Sequence, residues 1–487
     1  MERDGRRYTY QMTLEEGPDF VEPLLHLFIT ADREWIIWTK EGYYDCSPNA
    51  DRFIGWHVNR GPAKSAEFHA VQQFRKQLYR PDVIDKVVAL GDVSAAIAQA
   101  NAELGRKTAE LDLRNREDFD TIRPPHVEFV SPAAGQVVDT AELPVRVRIS
   151  SPNALAVRDV TFLVDGVPAH VAHPNAGANG AAVEVTAGLK LAPGPHQISV
   201  IASNGESTSA AIERSVSYRG GQTTPDPTGD AADKPKLFVL AIGISKYAHS
   251  GDEFRNLNFA ATDAEAFVRV MEQHRNGRLY GDVEAKLITD ESATRLNILD
   301  GFDWLVKNVS DGDIAMIFIS AHGFRDDNQN FYLATHDVQH DKLRATAVSW
   351  REITGALHED FPACKRVLFL DTCHSGGVSG RQPIFDPVHE LTAPEVGVIV
   401  FSSCQPREES FERSDLRHGA FTYALVETLR DKQSDTHPLP GGNERFSQSE
   451  LKLGVVDRVQ TLTRGRQNPV LTSPPTLREF DLLELLN

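Results

Sequence analysis

The chain has 487 residues, too many for one ordinary hydrophobic core, and its length points to about three domains. With 41% hydrophobic and 25% charged residues it has the make-up of folded domains, which excludes wholesale disorder. Sixty-nine acidic against 51 basic residues leave a net charge of -18, a surface that repels phosphate backbones and anionic lipid, so neither nucleic acid nor membrane partners are expected. The opening MERDGRRYTYQ lacks the apolar core of a signal peptide, and no run approaches the ~18 apolar residues of a membrane span, so a cytoplasmic location is expected. The cysteines at 46, 364, 373 and 404 show no CxxC pairing; reduced thiols, no metal site and no cofactor are the expectation.

Residues 1–120 read as a small α+β unit. WIIWTKEGYY, turning at Lys40, Glu41 and Gly42, predicts a hairpin, and from about 64 FHAVQQFRKQL places Phe68, Val71, Phe74 and Leu78 at helical spacing. GDVSAAIAQANAELG predicts a second helix. Residues 124–218 offer short alternating runs (VEFV, PVRVRI, VTFLV, HQISVIA), with Asp165-Gly166 the strongest hairpin signal. FLVDGVPAH and LAPGPHQISVIASNG resemble the Ig-like modules appended to many bacterial enzymes, which implies an Ig-like β-sandwich; a sandwich of other ancestry is the alternative. Residues 219–236, rich in Gly, Pro, Asp and Thr, read as a linker.

From 237 to 487 the rhythm becomes strand, helix, strand, helix. The runs LFVLAIGI, IAMIFIS, VLFLD and VGVIVFS have the continuous apolarity of parallel strands buried on both faces. Ala264, Phe267, Val268 and Met271 share one helical face, as do Ile298, Phe302, Leu305 and Val309. The fold expected is therefore multidomain, with an α/β domain built on a mostly parallel sheet behind the sandwich and the N-terminal unit.

Chemistry concentrates where two strands end. One leads into Ala321-His322-Gly323, the other into Asp371-Thr372-Cys373-His374-Ser375-Gly376-Gly377. If these strands are neighbours, ~4.8 Å apart, His322 can take the proton of Cys373 at the carboxyl-end crevice. A free thiol is mostly protonated at neutral pH, so a nucleophilic Cys373 needs that base, and His322 can later protonate the leaving amine. Gly323 and the Cys373 main chain would present N–H groups to the oxyanion. His374 invites a metal reading with its neighbours, but no HExxH or second cysteine cluster supports one. A phosphatase loop through Arg381 is disfavoured by the seven residues that separate it from Cys373.

FISAHG, FLDTCHSGG, VFSSC and RHGAFTYALVETL resemble the caspase-like cysteine peptidases, in their metacaspase or orthocaspase branch of bacterial type, over roughly 236–470. His322 and Cys373 lie 51 positions apart, against the ~50 typical of caspases. Where animal caspases carry Gln-Ala-Cys, this chain has Asp371 two residues before the thiol. The resemblance implies an arginine pocket made by Asp263, Ser320 and Asp371, hence protein substrates cleaved after Arg or Lys. Asp371 also suits that place because alternate positions of a strand end face one side, and a carboxylate selects a cation. Glu408, Glu409 and Glu412 fall in the acidic loop that the family places beside its substrate.

Calcium-dependent members carry a denser acidic run than FRDDNQNFYLATHD, which argues against calcium dependence without deciding it. The long segment 375–396 lies where cutting frees the site-forming loops in the caspase family, and Arg381 within it suits the predicted pocket, so it is the expected processing site, cut by the protein itself or by an upstream activating protease. By analogy alone, a bacterial protease of this kind could serve stress-triggered or antiviral self-destruction, a role that fold does not establish. A catalytically silent caspase-like scaffold or partner-binding module, its sandwich and N-terminal unit binding partners, is the alternative function. Cys364 and Cys404 read as packing, Cys46 shows no partner in the sequence, and nothing in the sequence fixes the oligomeric state.

Overall fold

The computed structural model describes residues 2–3, 6–7, 22–31, 34–59, 62–63, 65–103, 111–220, 234–251, 254–326, 330–358, 361–372, 387–405, 408–430 and 444–486. The N-terminal unit carries the expected hairpin: Trp35–Trp38 pairs antiparallel with Tyr44–Cys46, and Gly42 takes a φ of 114° in the turn. The helix expected from residue 64 begins later. Glu67–Ala70 is a strand paired with Gly55–Val58, followed by a 3-10 turn over Val71–Phe74 and a short helix over Arg75–Leu78. Val71, Phe74 and Leu78 are fully buried and keep the helical spacing, whereas Phe68 is 59% exposed. Cross-strand pairing with 55–58, which a local period cannot register, decides the conformation there.

Residues 126–218 form two sheets over one core. A three-stranded sheet (Val183–Lys190, Glu142–Ser150, His126–Ser131) faces a five-stranded one centred on Asp159–Val164 and Gly194–Ser203, with Val145, Val147, Phe162 and Val200 buried between them. Asp165 and Gly166, both at positive φ, make the expected two-residue hairpin. The linker lies mostly outside the described residues.

The C-terminal region is built on six strands, β1 (Lys236–Gly243), β2 (Asp282–Thr289), β3 (Ile314–Ser320), β4 (Lys365–Asp371), β5 (Val398–Ser402) and β6 (Val470–Thr472), in the order β2-β1-β3-β4-β5-β6. The first five are parallel and β6 is antiparallel. Helices α1 (Ala260–Met271), α2 (Arg295–Asn308), α3 (Trp350–His358), α4 (Ala420–Arg430) and α5 (Gln448–Thr463) cover both faces. α1, α4 and α5 share a core with Val239, Phe318 and Phe369; α2 and α3 share one with Leu240, Ile317 and Leu368. The strand order reverses between β1 and β3, where open sheets place their ligand crevice at the carboxyl ends.

The three regions touch. Gln73 and Thr208 exchange two hydrogen bonds of 3.0 Å between the N-terminal unit and the sandwich. The Cys46 thiol lies 3.6 Å from Nε2 of His389, whose ring packs at a tilt against that of Tyr79 and whose carbonyl accepts from Arg75. Cys46 thus has a partner 343 residues away, which no local pattern announces.

Candidate active site

β3 and β4 are neighbours, as the strand-end reading requires: Ser320 stands opposite Asp371, and on its other side opposite Gly243. Alternation fixes which way these residues face. Met316 and Phe318 in β3, like Val367 and Phe369 in β4, pack on the α1 side, so Ser320 and Asp371 at the same parity face that side too. α1 comes close because Gly243 has no side chain; a Cβ there would sit 2.3 Å from the Ala260 carbonyl oxygen and 2.7 Å from the Ala264 Cβ. Asp263, in the first turn of α1, is thereby carried to the strand ends. Cys373, His374 and Arg381 lie outside the described residues.

His322 is 8% exposed. Its main-chain N–H donates to the Tyr247 hydroxyl (2.9 Å), and its ring stacks on that of Tyr247 at 5.1 Å. Nε2 lies 2.7 Å from the Arg255 carbonyl. A carbonyl can only accept, so this nitrogen carries the proton and Nδ1 is the basic one, a tautomer assigned from the hydrogen bond. Burial pushes the imidazole below its ordinary pKa, against the pull of the Arg255 carbonyl and of Glu412, which favours the neutral base.

Gly323 pairs with Leu333, while the Ala334 N–H donates to the His322 carbonyl (2.9 Å). That makes Gly323 and Leu333 a non-hydrogen-bonded pair, so the Gly323 N–H turns away from the neighbouring strand. Phe331 closes the other side: its ring would lie 2.4 Å from a Cβ on Gly323.

Two carboxylates meet beside these groups. Asp263, 2% exposed, accepts from Nδ1 of His418 (2.6 Å) and from the Gly419 N–H (3.0 Å). Asp371, 7% exposed, accepts from the Ser410 hydroxyl (2.6 Å). A Cβ on Gly419 would lie 2.9 Å from Oδ2 of Asp263 and 3.1 Å from Oδ2 of Asp371, so both acids converge on one bare stretch of backbone. Burial drives the Asp263 carboxyl up to about 7; His418 pulls it down and Asp371 pushes it further up. Asp371 is raised as well, by burial first, with Ser410 opposing and Glu412 adding to the rise. Ser320 is buried between β1 and β4, and its carbonyl accepts from the Ile244 N–H (2.9 Å).

The segment after β5 delivers much of this. Glu412 and Arg413 pair with Gly419 and His418 in a small hairpin. Glu412 accepts from the N–H groups of Asn258 and Phe259 (2.8 to 3.1 Å), anchoring the hairpin at the N-terminus of α1, where its charge is also favoured by the helix dipole. Glu408 accepts from Asn468, and Glu409 is exposed. Sequence reasoning did not assign Tyr247, the Arg255 carbonyl, Ser410 or His418; of these, only His418 lay in a quoted motif, RHGAFT.

Cys364 packs as expected, its thiol pushed up to about 12 by burial, and Cys404 donates to the Glu408 carbonyl (3.5 Å). A cavity of about 1380 Å³ opens between the three regions, lined among others by Arg75, Glu206, Tyr332, Trp350 and Glu390. None of Asp263, Ser320, His322 or Asp371 lines it.

No curated protein matches the chain. Among solved structures, protein GSU0716 from Geobacter sulfurreducens is 18% identical over 52% of this chain and 100% of that one, with a TM-score of 0.37. The fibronectin(III)-like modules of Clostridium thermocellum CbhA are 21% identical over 20% of this chain and 47% of that one, with a TM-score of 0.16. No helix among the described residues is long and apolar enough to cross a membrane. The family model described as Peptidase_C14, caspase domain, matches residues 236–480, half of the chain, and the chain therefore belongs to the caspase-domain family of cysteine peptidases.

Proposed function

We propose that this protein is a cysteine endopeptidase that cleaves its protein substrates after arginine or lysine, with Cys373 as nucleophile and His322 as its base. The observation that carries the reading is the convergence of Asp263 and Asp371 on the Gly419 backbone, beside the strand end that leads to His322. Two buried carboxylates, with one imidazole bonded to Asp263, form a site that gains from a cation, and the planar fork of arginine can meet two acids at once.

In the first half-reaction Nδ1 of His322 takes the thiol proton, and the thiolate attacks the scissile carbonyl. The Gly323 N–H and the Cys373 N–H donate to the oxyanion. The imidazolium then gives its proton to the leaving amine, which leaves a thioester, and water resolves it with His322 again acting as base. Ser320 would border the pocket between the two acids.

Processing after Arg381 is part of the same reading. The segment that contains it runs between β4 and the helix Pro387–Leu391, and that helix is tied to the N-terminal unit through His389. A cut at Arg381 would release the upstream end while the downstream end stays anchored. Arg381→Ala is expected to block the rise in activity; unchanged activation removes this part.

The test uses fluorogenic peptides ending in Arg, Lys or Asp, before and after an activating cut. Arg and Lys peptides are expected to be cleaved and the Asp peptide spared. Cys373→Ala should abolish turnover, and His322→Ala should lower kcat by about 10³. Absence of cleavage after cutting would identify the chain as a silent scaffold.

A further inference from the structure

Beside the two acids a side chain already stands where the proposed pocket would take a substrate cation. His418 approaches Asp263 at 2.6 Å, close enough for a charge-assisted hydrogen bond, and keeps 24% of its side chain in water at the pocket's edge. Among the described residues it is the basic side chain hydrogen-bonded to either carboxylate. The other charged groups around the pair are committed elsewhere. Arg413, across the hairpin, holds Asp415 at 2.7 and 2.8 Å; Glu412 is bound to the start of α1; Arg417 points to solvent. Asp371 from β4 faces the pair and adds a like charge.

We propose that His418 is a specificity-determining residue: its imidazole, bonded to Asp263, fills the place beside Asp263 and Asp371 while the pocket is empty and gives it up to the guanidinium of the substrate, the proton held within that cluster passing to solvent. This rests on the acidic-pocket reading above and adds to it a residue and a proton. An arginine or lysine at 418 would hold its charge throughout and compete with the substrate. An imidazole can shed its proton, and its neutral ring still donates from Nδ1 to Asp263.

Buried acids side by side share protons readily, and here the Asp263 carboxyl is raised to about 7 while Asp371 is raised as well. If a proton leaves when arginine binds, affinity must rise with pH, by at most about tenfold per pH unit for one proton, until the empty pocket no longer carries it. Because His418 lowers the Asp263 carboxyl, removing the imidazole moves that rise to higher pH.

The experiment measures dissociation constants of blocked peptides ending in arginine or in its neutral isostere citrulline, between about pH 5.5 and 9, on the Cys373→Ala protein with and without His418→Gln. With His418 present, arginine affinity should climb to a plateau near neutrality while citrulline stays flat. With His418→Gln, arginine should bind about tenfold more weakly at pH 7 and recover towards pH 9. His418→Lys should lose the arginine preference across the range.

Arginine preference with superimposable pH profiles, an equal loss at every pH, or a retained preference in His418→Lys would overturn the role of His418 alone. If no variant prefers arginine to citrulline, the acidic pocket itself is wrong and this proposal falls with it.

Discussion

Two buried aspartates show how neighbours, and not burial, set what a carboxylate is for. Asp51, in the N-terminal unit, and Asp263, at the start of α1, are each 2% exposed, and burial is the largest influence on both, pushing the pKa up. They end on opposite sides of the ordinary value. Arg75 forms an ion pair with Asp51, with His389 and Gln72 helping, and together they hold that carboxyl below 3.8. Asp263 has an imidazole on one side and another carboxylate on the other, and settles at about 7. A permanent cation makes a closed structural pair; an acid facing an acid leaves a site that is short of positive charge.

Asp263→Asn is the most drastic way to break the contrast. It should lower kcat/KM for arginine peptides by about 10- to 150-fold, since a hydrogen bond to a charged group contributes about 1.5–3 kcal/mol. It should also stabilise the fold at alkaline pH. Asp263 binds its proton more tightly folded, at about 7, than unfolded, at 3.8, so the stability it contributes is complete below 3.8 and is lost as pH rises through 7. Asparagine escapes that loss but cannot accept from both His418 and Gly419. A net gain of about 1–3 kcal/mol near pH 8, and none near pH 3.5, is expected in thermal melts. A variant that melts lower at both pH values would show that Asp263 is structural like Asp51.

Asp51→Asn tests the other side. Breaking a buried ion pair costs about 3 kcal/mol, at the low end of such losses because Arg75 keeps 20% of its side chain in water. The folded pKa is depressed here, so this stability is present above the unfolded value and lost as pH falls through the folded one. Wild type and variant should therefore converge in acid denaturation, with peptide specificity unchanged. A change in arginine selectivity would mean that the two acids are not independent.

Gly419→Ala sharpens the pocket side without removing a charge. Its Cβ would press on both Oδ2 atoms from 2.9 and 3.1 Å, so the acids must part by a few tenths of an ångström. KM for arginine peptides should rise about tenfold, with kcat retained, because the reacting groups are elsewhere. Cys46→Ala is the mildest change: a loss of about 1 kcal/mol through the contact with His389, read by denaturant melts, and no effect on peptide selectivity.

β1, β3, β4 and β5 could be read directly because strands buried on both faces need unbroken apolar runs, and the turn at Asp165-Gly166 because few residues tolerate two consecutive positive φ values. Glu67–Ala70 could not, since Phe68 matched a helical period by coincidence while its backbone had a partner strand at 55–58. The acids were legible as members of a motif; the imidazole between Asp263 and solvent was not. His418 and Asp263 are 155 positions apart, and nothing local to either predicts the other.

The sequence by itself determined that the C-terminal region is an α/β sheet and that two of its strands run into His322 and into Asp371 and Cys373, while Asp263 and Ser320 became candidates only through the family resemblance. Those features depend on residue type and on periods of two or 3.6, which a chain carries wherever it folds. Tertiary structure decided that Asp263 and Asp371 converge on Gly419, that His418 joins them, and that Cys46 meets His389. These contacts link residues scores to hundreds of positions apart, and only the packing of α1 and the 412–419 hairpin against the sheet brings the pocket groups together, for burial sets their charge only after they meet.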